Sequence, residues 1–288
     1  VGSEMCIRDR MGTCDPSWNV PGDRPEWKMA VLDRAASMLQ RDKNHPSILM
    51  WSCGNESYVG KDIEAVSDYF HREDDSRLVH YEGVFWNRAY DHISDMESRM
   101  YAKPAEIEAY LDSDPGKPYI SCEYMHSMGN STGGLKLYTD LEDKYPMYQG
   151  GFIWDYMDQS LYMVNDLGEE VLTYGGDHDE RPTDYEFCTN GIVYATREES
   201  PKVQEVKALY SDIILEADKR GIKIKNDHLF TATDAYSIVC RVRKEEVCLW
   251  EKEIDTCVAP LSSEYIEVDY PEFSEAGEYI YEAVSYTH

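Results

Sequence analysis

The chain has 288 residues, 42% hydrophobic and 29% charged, a globular balance that suits one large or two smaller domains and excludes a disordered chain. Fifty-six acidic residues against 28 basic ones leave a formal net charge of -28, so the surface repels phosphate backbones and nucleic acid is excluded as a partner. Mean hydropathy is -0.60, and without a run of about eighteen apolar residues nothing is expected to enter a membrane.

Residues 1–10 (Val1-Gly2-Ser3-Glu4-Met5-Cys6-Ile7-Arg8-Asp9-Arg10) lack the apolar stretch of a signal peptide and resemble translated adapter sequence, as do residues 284–288. Both segments are set aside, and truncation at both ends is expected. Residues 25–43 then read as a helix: Pro25 suits the first turn, Glu26 suits its positive end, and Met29, Leu32, Ala36 and Leu39 recur at helical spacing. His45-Pro46 ends it. The continuous apolar run over 47–53 predicts a strand covered on both faces. Helices are predicted over 62–70, 104–111 and 134–143, and strands over 78–81, 118–122 and 151–155. This alternation implies a parallel β/α architecture, whose chemistry gathers at the C-terminal ends of the strands. Asn55-Glu56, Glu123 and Asp155 fall there.

After about Tyr210 the pattern changes to short alternating stretches at 213–215, 236–242, 266–268 and 279–281. Lys219-Arg220-Gly221 and Lys225-Asn226-Asp227 read as turns between them. The reading is an antiparallel β-sandwich. The eight cysteines form no C-x-x-C pair and several sit in apolar runs, which suggests reduced, buried thiols and a cytoplasmic location. The acidic stretch Asp177-His178-Asp179-Glu180 lacks the spacing of a calcium loop and reads as a solvated loop.

Glu56 and Glu123 each follow an apolar strand, and Trp51, Tyr101, Tyr124 and Trp154 supply aromatic surface nearby. Sugar chemistry needs such a set: one carboxyl protonates the leaving oxygen, the other stabilises or captures an oxocarbenium-like centre, and aromatic faces pack on pyranose rings. Among 56 acidic residues accidental pairs are many, so spacing alone leaves solvated carboxylates as an open alternative.

Whole blocks of sequence go further. Asn44-His45-Pro46-Ser47-Ile48-Leu49-Met50-Trp51-Ser52-Cys53-Gly54-Asn55-Glu56-Ser57 resembles the acid/base signature of the β-galactosidases of glycoside hydrolase family 2. Cys122-Glu123-Tyr124-Met125-His126-Ser127-Met128-Gly129-Asn130-Ser131 resembles their nucleophile signature. The stretches 149–160, 174–177 and 187–191 resemble later blocks of the same barrel, in the family's order. The resemblance implies the C-terminal part of a TIM (β/α)8 barrel, roughly strands four to eight, over 11–210. An incomplete all-β, immunoglobulin-like sandwich would follow over 211–283.

It further implies a retaining glycosidase acting on terminal β-D-galactosides, with Glu56 as acid/base and Glu123 as the nucleophile. Asn55, Tyr101, His126 and Trp154 would bind substrate, although a core tyrosine, a structural histidine and core packing of the tryptophan stay open as alternatives. In the family a Mg²⁺ contacts the acid/base glutamate, which marks Glu56 as a ligand. The companion Glu-x-His ligands would fall at Met11-Gly12-Thr13 and are not there. A Na⁺ would take Asn190 and the Phe187 carbonyl. Family members form homo-oligomers through parts outside this stretch. The partner implied is a small carbohydrate, with no nucleic acid and no membrane. A half-barrel with open strand edges is expected to be inactive and aggregation-prone by itself. The alternatives are another family 2 glycosidase, such as a β-glucuronidase, or a non-catalytic carbohydrate-binding fragment.

Overall fold

The computed structural model describes residues 21–287. Two compact units divide between Val206 and Lys207. The 1–10 segment and the Met11-Gly12-Thr13 position lie outside the described residues.

In the first unit, helix α1 (Pro25–Asp42) begins on its proline as expected. Its buried stripe is Val31, Ala35 and Leu39, one helical face at i, i+4 and i+8. The anticipated stripe is therefore rotated by about one position: Met29 is exposed, and Met29, Leu32 and Ala36 line an open groove between α1 and helix α2 (Lys61–Glu73). Leu39, common to both stripes, is buried, and Val31 and Ala35 join it in the core with Trp51, Val59 and Phe70, against which Leu32 packs partly buried. Helix α2 buries Ile63, Val66 and Phe70 toward the same core.

Strand β1 (Met50–Ser52) lies parallel to β2 (Leu78–His80), with Trp51 opposite Val79. It is shorter than expected and is covered on one side only: Trp51 and Cys53 are buried in the core, while Leu49 and Ser52 are exposed. Trp51 anchors the core. Its ring stacks on Phe70 at 5.8 Å, its Nε1–H donates to Asp74 Oδ2 at 2.9 Å, and the Arg77 guanidinium lies 5.4 Å from its centroid. Arg77 also donates to the Ile48, Lys43 and His45 carbonyls, which pins the loop that leaves α1.

Strands β3 (Glu97–Met100), β4 (Tyr119–Tyr124) and β5 (Tyr148–Ile153) form a second parallel sheet. Helices α3 (Pro104–Leu111) and α4 (Lys136–Lys144) connect them. Strand β3 was not anticipated, because Glu-Ser-Arg-Met shows no apolar pattern. Glu97 is nevertheless 3% exposed. Its carboxylate is satisfied by two bonds from Arg88, at 2.7 and 2.8 Å, and one from Arg99 at 3.1 Å, the pairing a buried charge requires. Strand β4 runs two residues beyond the prediction. Strand β5 starts earlier and ends at Ile153, so Trp154 and Asp155 lie just past it. Helix α4 starts at Lys136 because Gly134, at φ +86°, is outside helical space. Sheet β4–β5 needs Gly151: a Cβ there would stand 2.8 Å from the Ser121 Cβ.

An antiparallel hairpin follows, β6 (Leu161–Val164) with β7 (Glu170–Thr173), also unanticipated. Helix α5 (Lys202–Leu209) straddles the boundary between the units.

The second unit is the expected antiparallel sandwich. One sheet has the order β12 (Ser262–Glu267), β9 (Gly221–Asn226), β8 (Ile213–Asp218); the other has β11 (Val247–Ile254), β10 (Tyr236–Lys244), β13 (Tyr279–Thr287). Ile213, Ile222, Ile224, Ile238, Cys240, Val258 and Val268 pack as its core. Lys225 and Asn226 belong to β9 rather than to a turn. Asn226 is fully buried, and its amide donates to the Thr231 and Val258 carbonyls at 2.9 and 3.0 Å. Val284 and Thr287, in the tail set aside above, pair with Val239 and Tyr236 as the end of β13. Cys53 and Cys240 are buried free thiols as expected, but Cys248 and Cys257 are exposed, the first because β11 turns most of its residues outward and the second because it lies in the irregular stretch after that strand. Among the described residues no helix is long and apolar enough to cross a membrane.

Candidate active site

The parallel strands of the first unit deliver the expected site residues to their C-terminal ends. Glu56 follows β1, Tyr101 follows β3, Glu123 is the penultimate residue of β4, and Trp154 follows β5. In the β3–β4 register Met100 stands opposite Glu123. This brings Tyr101 onto the same carboxylate: its hydroxyl donates to Glu123 Oε2 at 2.5 Å, and its backbone N–H donates to the Glu123 carbonyl at 2.8 Å. The His126 ring lies tilted beside the phenol, ring centroids 5.7 Å apart. The loop after Glu123 is tied to the end of β5 by the Ser127 N–H, which donates to the Trp154 carbonyl at 2.7 Å. Trp154 is half-buried.

Glu56, Tyr101 and Met125 all have positive φ, between 51° and 54°. Residues with a Cβ disfavour this left-handed region, and such conformations persist where surrounding structure enforces them, characteristically at functional sites. Two of them, Tyr101 and Met125, end the adjacent strands β3 and β4, and Glu56 follows β1.

The electrostatics form one coupled group. Burial is the main force raising the Glu123 carboxyl above its usual range; the Tyr101 hydrogen bond opposes it, and the negative charges of Glu56 and Asp155 add to it. Asp155 is itself pushed up to about 6, by burial first and then by Asp158. Tyr101 is raised by burial and by its donation to Glu123. Glu56 and Asp155, which follow β1 and β5, thus both act on the carboxyl group of Glu123 at the end of β4. A half-buried carboxyl group held by a phenol, with further carboxylates acting on it, has the chemistry of a nucleophile or a proton donor.

One member of this group escaped sequence reasoning. Glu82, in the 3-10 turn Glu82–Phe85 that follows β2, is 3% exposed and is pushed up to about 7, mainly by burial, with Glu123 and Glu56 contributing. Its Oε1 accepts the backbone N–H of Glu56 at 2.7 Å. The available signal was its position: like Glu56 and Glu123, it follows directly on an apolar strand.

Of the remaining expected residues, Asn190 is tied to the cluster through its backbone, its carbonyl accepting the Asp155 N–H at 2.9 Å. Asn55 is half-buried, and its carbonyl accepts from Ser57 Oγ at 3.1 Å. Asn190 is 3% exposed; its amide donates to the Phe187 carbonyl, and its Oδ1 is buried without a hydrogen-bond partner. The acidic loop closes on itself: Glu180 accepts the backbone N–H groups of Gly176 and His178, as a solvated loop would.

The family model described as "Glycosyl hydrolases family 2, TIM barrel domain" matches residues 3–215, and that described as "Beta-galactosidase, domain 4" matches residues 222–287. The chain is 59% identical over 272 residues to a β-galactosidase of Halalkalibacterium halodurans, covering 94% of this chain and 27% of that protein. It is 59% identical over 259 residues to a β-galactosidase of Clostridium acetobutylicum, covering 90% of this chain and 29% of that protein. It is 51% identical over 294 residues to a β-galactosidase of Streptococcus thermophilus, covering 95% and 29%. The chain therefore spans less than a third of the length of these curated relatives. Parallel β/α strands, an antiparallel sandwich after them and both domain matches in that order lead to one conclusion: the chain belongs to family 2 of the glycosyl hydrolases.

Proposed function

We propose that this chain supplies the acid/base and nucleophile of a retaining β-galactosidase that acts on terminal non-reducing β-D-galactosides. The observation that carries the reading is the carboxylate group at the strand ends, with Tyr101 donating to Glu123 and Glu56 close enough to perturb it. In the first step Glu123 attacks the anomeric carbon, forming a galactosyl ester, while Glu56 gives its proton to the departing oxygen. In the second, Glu56 takes a proton from water as that water attacks the same carbon and Glu123 leaves as a carboxylate. Asn55, His126 and Trp154 are proposed to hold the sugar, and Tyr101 to orient the nucleophile. Galactosides are favoured over glucuronides because the relatives at 51–59% identity are named β-galactosidases.

Two cations belong to the proposal in different ways. Asn190, whose Nδ2 donates to the Phe187 carbonyl while its buried Oδ1 has no hydrogen-bond partner, fits part of a Na⁺ site. A monovalent cation there would add positive charge against the sugar hydroxyls. Mg²⁺ does not fit the described residues: Glu56 offers one carboxylate, no group of three metal-ligating side chains occurs among them, and a hard divalent ion takes more oxygen ligands than that. No step is assigned to it. We further propose a cytoplasmic enzyme, homo-oligomeric when complete, with no nucleic-acid partner, and little activity in this chain by itself.

The test is Glu123→Gln in the complete enzyme carrying this chain, assayed on an aryl β-galactoside. Loss of at least about 10³-fold in kcat is expected for removal of a nucleophile. Activity within a few-fold of the parent would exclude Glu123 from the reaction.

A further inference from the structure

Glu56 sits in an awkward backbone conformation, and two consecutive residues of the neighbouring strand end hold it there. Its φ is +51°. Glu82 Oε1 accepts its N–H at 2.7 Å, and the hydroxyl of Tyr81 donates to the carbonyl of Ser57, the next residue along. Glu82 is 3% exposed and Tyr81 is fully buried, so neither contact competes with bulk water. The turn that presents them depends on Gly83, where an added Cβ would lie 2.4 Å from the Tyr81 ring. Ser57 Oγ closes the arrangement by donating to the Asn55 carbonyl at 3.1 Å. The Asn55–Glu56 and Ser57–Tyr58 peptide units are thereby fixed from outside the loop that carries Glu56.

Burying a carboxyl group is costly, and turning one onto backbone N–H groups, that of Glu56 and its own, makes sense where those groups must point one way. The direction of the Glu56 side chain follows from its φ and ψ, and catalytic groups lose rate steeply when misplaced by about 1 Å. We propose that Glu82 is a positioning residue that acts through Glu56: its acceptor oxygen, seconded by Tyr81, locks the acid/base loop in the left-handed conformation and so aims the proton donor at the leaving oxygen. The inference rests on Glu56 being the acid/base.

A misaimed acid/base has a signature that general destabilisation lacks. It penalises leaving groups that need protonation and largely spares those that depart unaided. The complete enzyme carrying this chain should be compared as parent, Glu82→Ala, Glu82→Gln and Glu56→Gln by kcat/KM, which reports the first step alone, on methyl β-galactoside and on 2,4-dinitrophenyl β-galactoside. General acid catalysis contributes about 10²–10⁴-fold. Glu82→Ala is therefore expected to lose about 10–100-fold on the methyl glycoside and only a few-fold on the aryl one. Glu82→Gln keeps an acceptor oxygen and should stay near the parent on both. Equal losses on both substrates, including losses through misfolding, or a Glu82→Gln enzyme no better than Glu82→Ala, would overturn the inference. The Glu56→Gln enzyme separates the two levels: if it shows no leaving-group dependence, the acid/base assignment itself is wrong, whereas if it shows one and Glu82→Ala does not, only the role of Glu82 fails.

Discussion

Removing the Tyr101 hydroxyl is the sharpest perturbation of the proposed nucleophile. It donates to Glu123 Oε2 at 2.5 Å, and it opposes the burial and like charges that raise the Glu123 carboxyl. A hydrogen bond to a charged partner is worth about 1.5–3 kcal/mol. Tyr101 is 38% exposed, so water partly replaces the lost donor and the lower end applies. About 1.5 kcal/mol corresponds to roughly a tenfold change in rate. The sign depends on the step. Attack disperses charge from Glu123, so the lost bond matters less there. Release of galactose regenerates the carboxylate and needs that donor. Tyr101→Phe should therefore slow the second step about tenfold, lowering kcat on an activated aryl galactoside and exposing a pre-steady-state burst that methanol relieves. It should also raise the Glu123 carboxyl further, moving the acid limb of kcat/KM to higher pH, because only the carboxylate attacks. An acid limb that stays or moves down, with kcat unchanged, would refute the reasoning.

Asp74 is held well below the usual carboxylate range by hydrogen bonds from Ser76 first, then Trp51 and Arg77. A depressed native value contributes stability that is complete above the unfolded value, about 3.9, and is lost as pH falls toward the native one; Asp74→Asn should flatten that acid-side loss when unfolding is followed by tryptophan fluorescence. Gly151→Ala should cost about 1–3 kcal/mol in denaturant unfolding, because its Cβ meets that of Ser121 at 2.8 Å; an unchanged midpoint would show that β4 and β5 can separate freely. Cys248 and Cys257 are exposed whereas Cys53 is buried and its thiol is raised by burial, so mass spectrometry after brief maleimide treatment should find label on the first two and none on Cys53.

Much of this molecule is written locally. The helix starting at Pro25, the helix over Pro104–Leu111 and the apolar strands leading to Glu56 and Glu123 follow from period, proline placement and run length. The motif blocks named the same two glutamates. Tertiary structure decided what depends on partners distant in sequence. Strand β3 is polar and became a buried strand because Arg88 and Arg99 satisfy Glu97. Asn226 reads as a turn residue, yet it is buried in β9 because the Thr231 and Val258 carbonyls accept its amide. On α1 two apolar faces compete, and only the core assembled from α2, β1 and β2 takes in Val31, Ala35 and Leu39. The site follows the same rule. Tyr101 meets Glu123 through the β3–β4 register, and Glu82 reaches the Glu56 N–H from 26 residues away. Periodicity records which side chains avoid water; it carries no information about which buried polar group will find its partner, because that depends on strand pairing across the sheet.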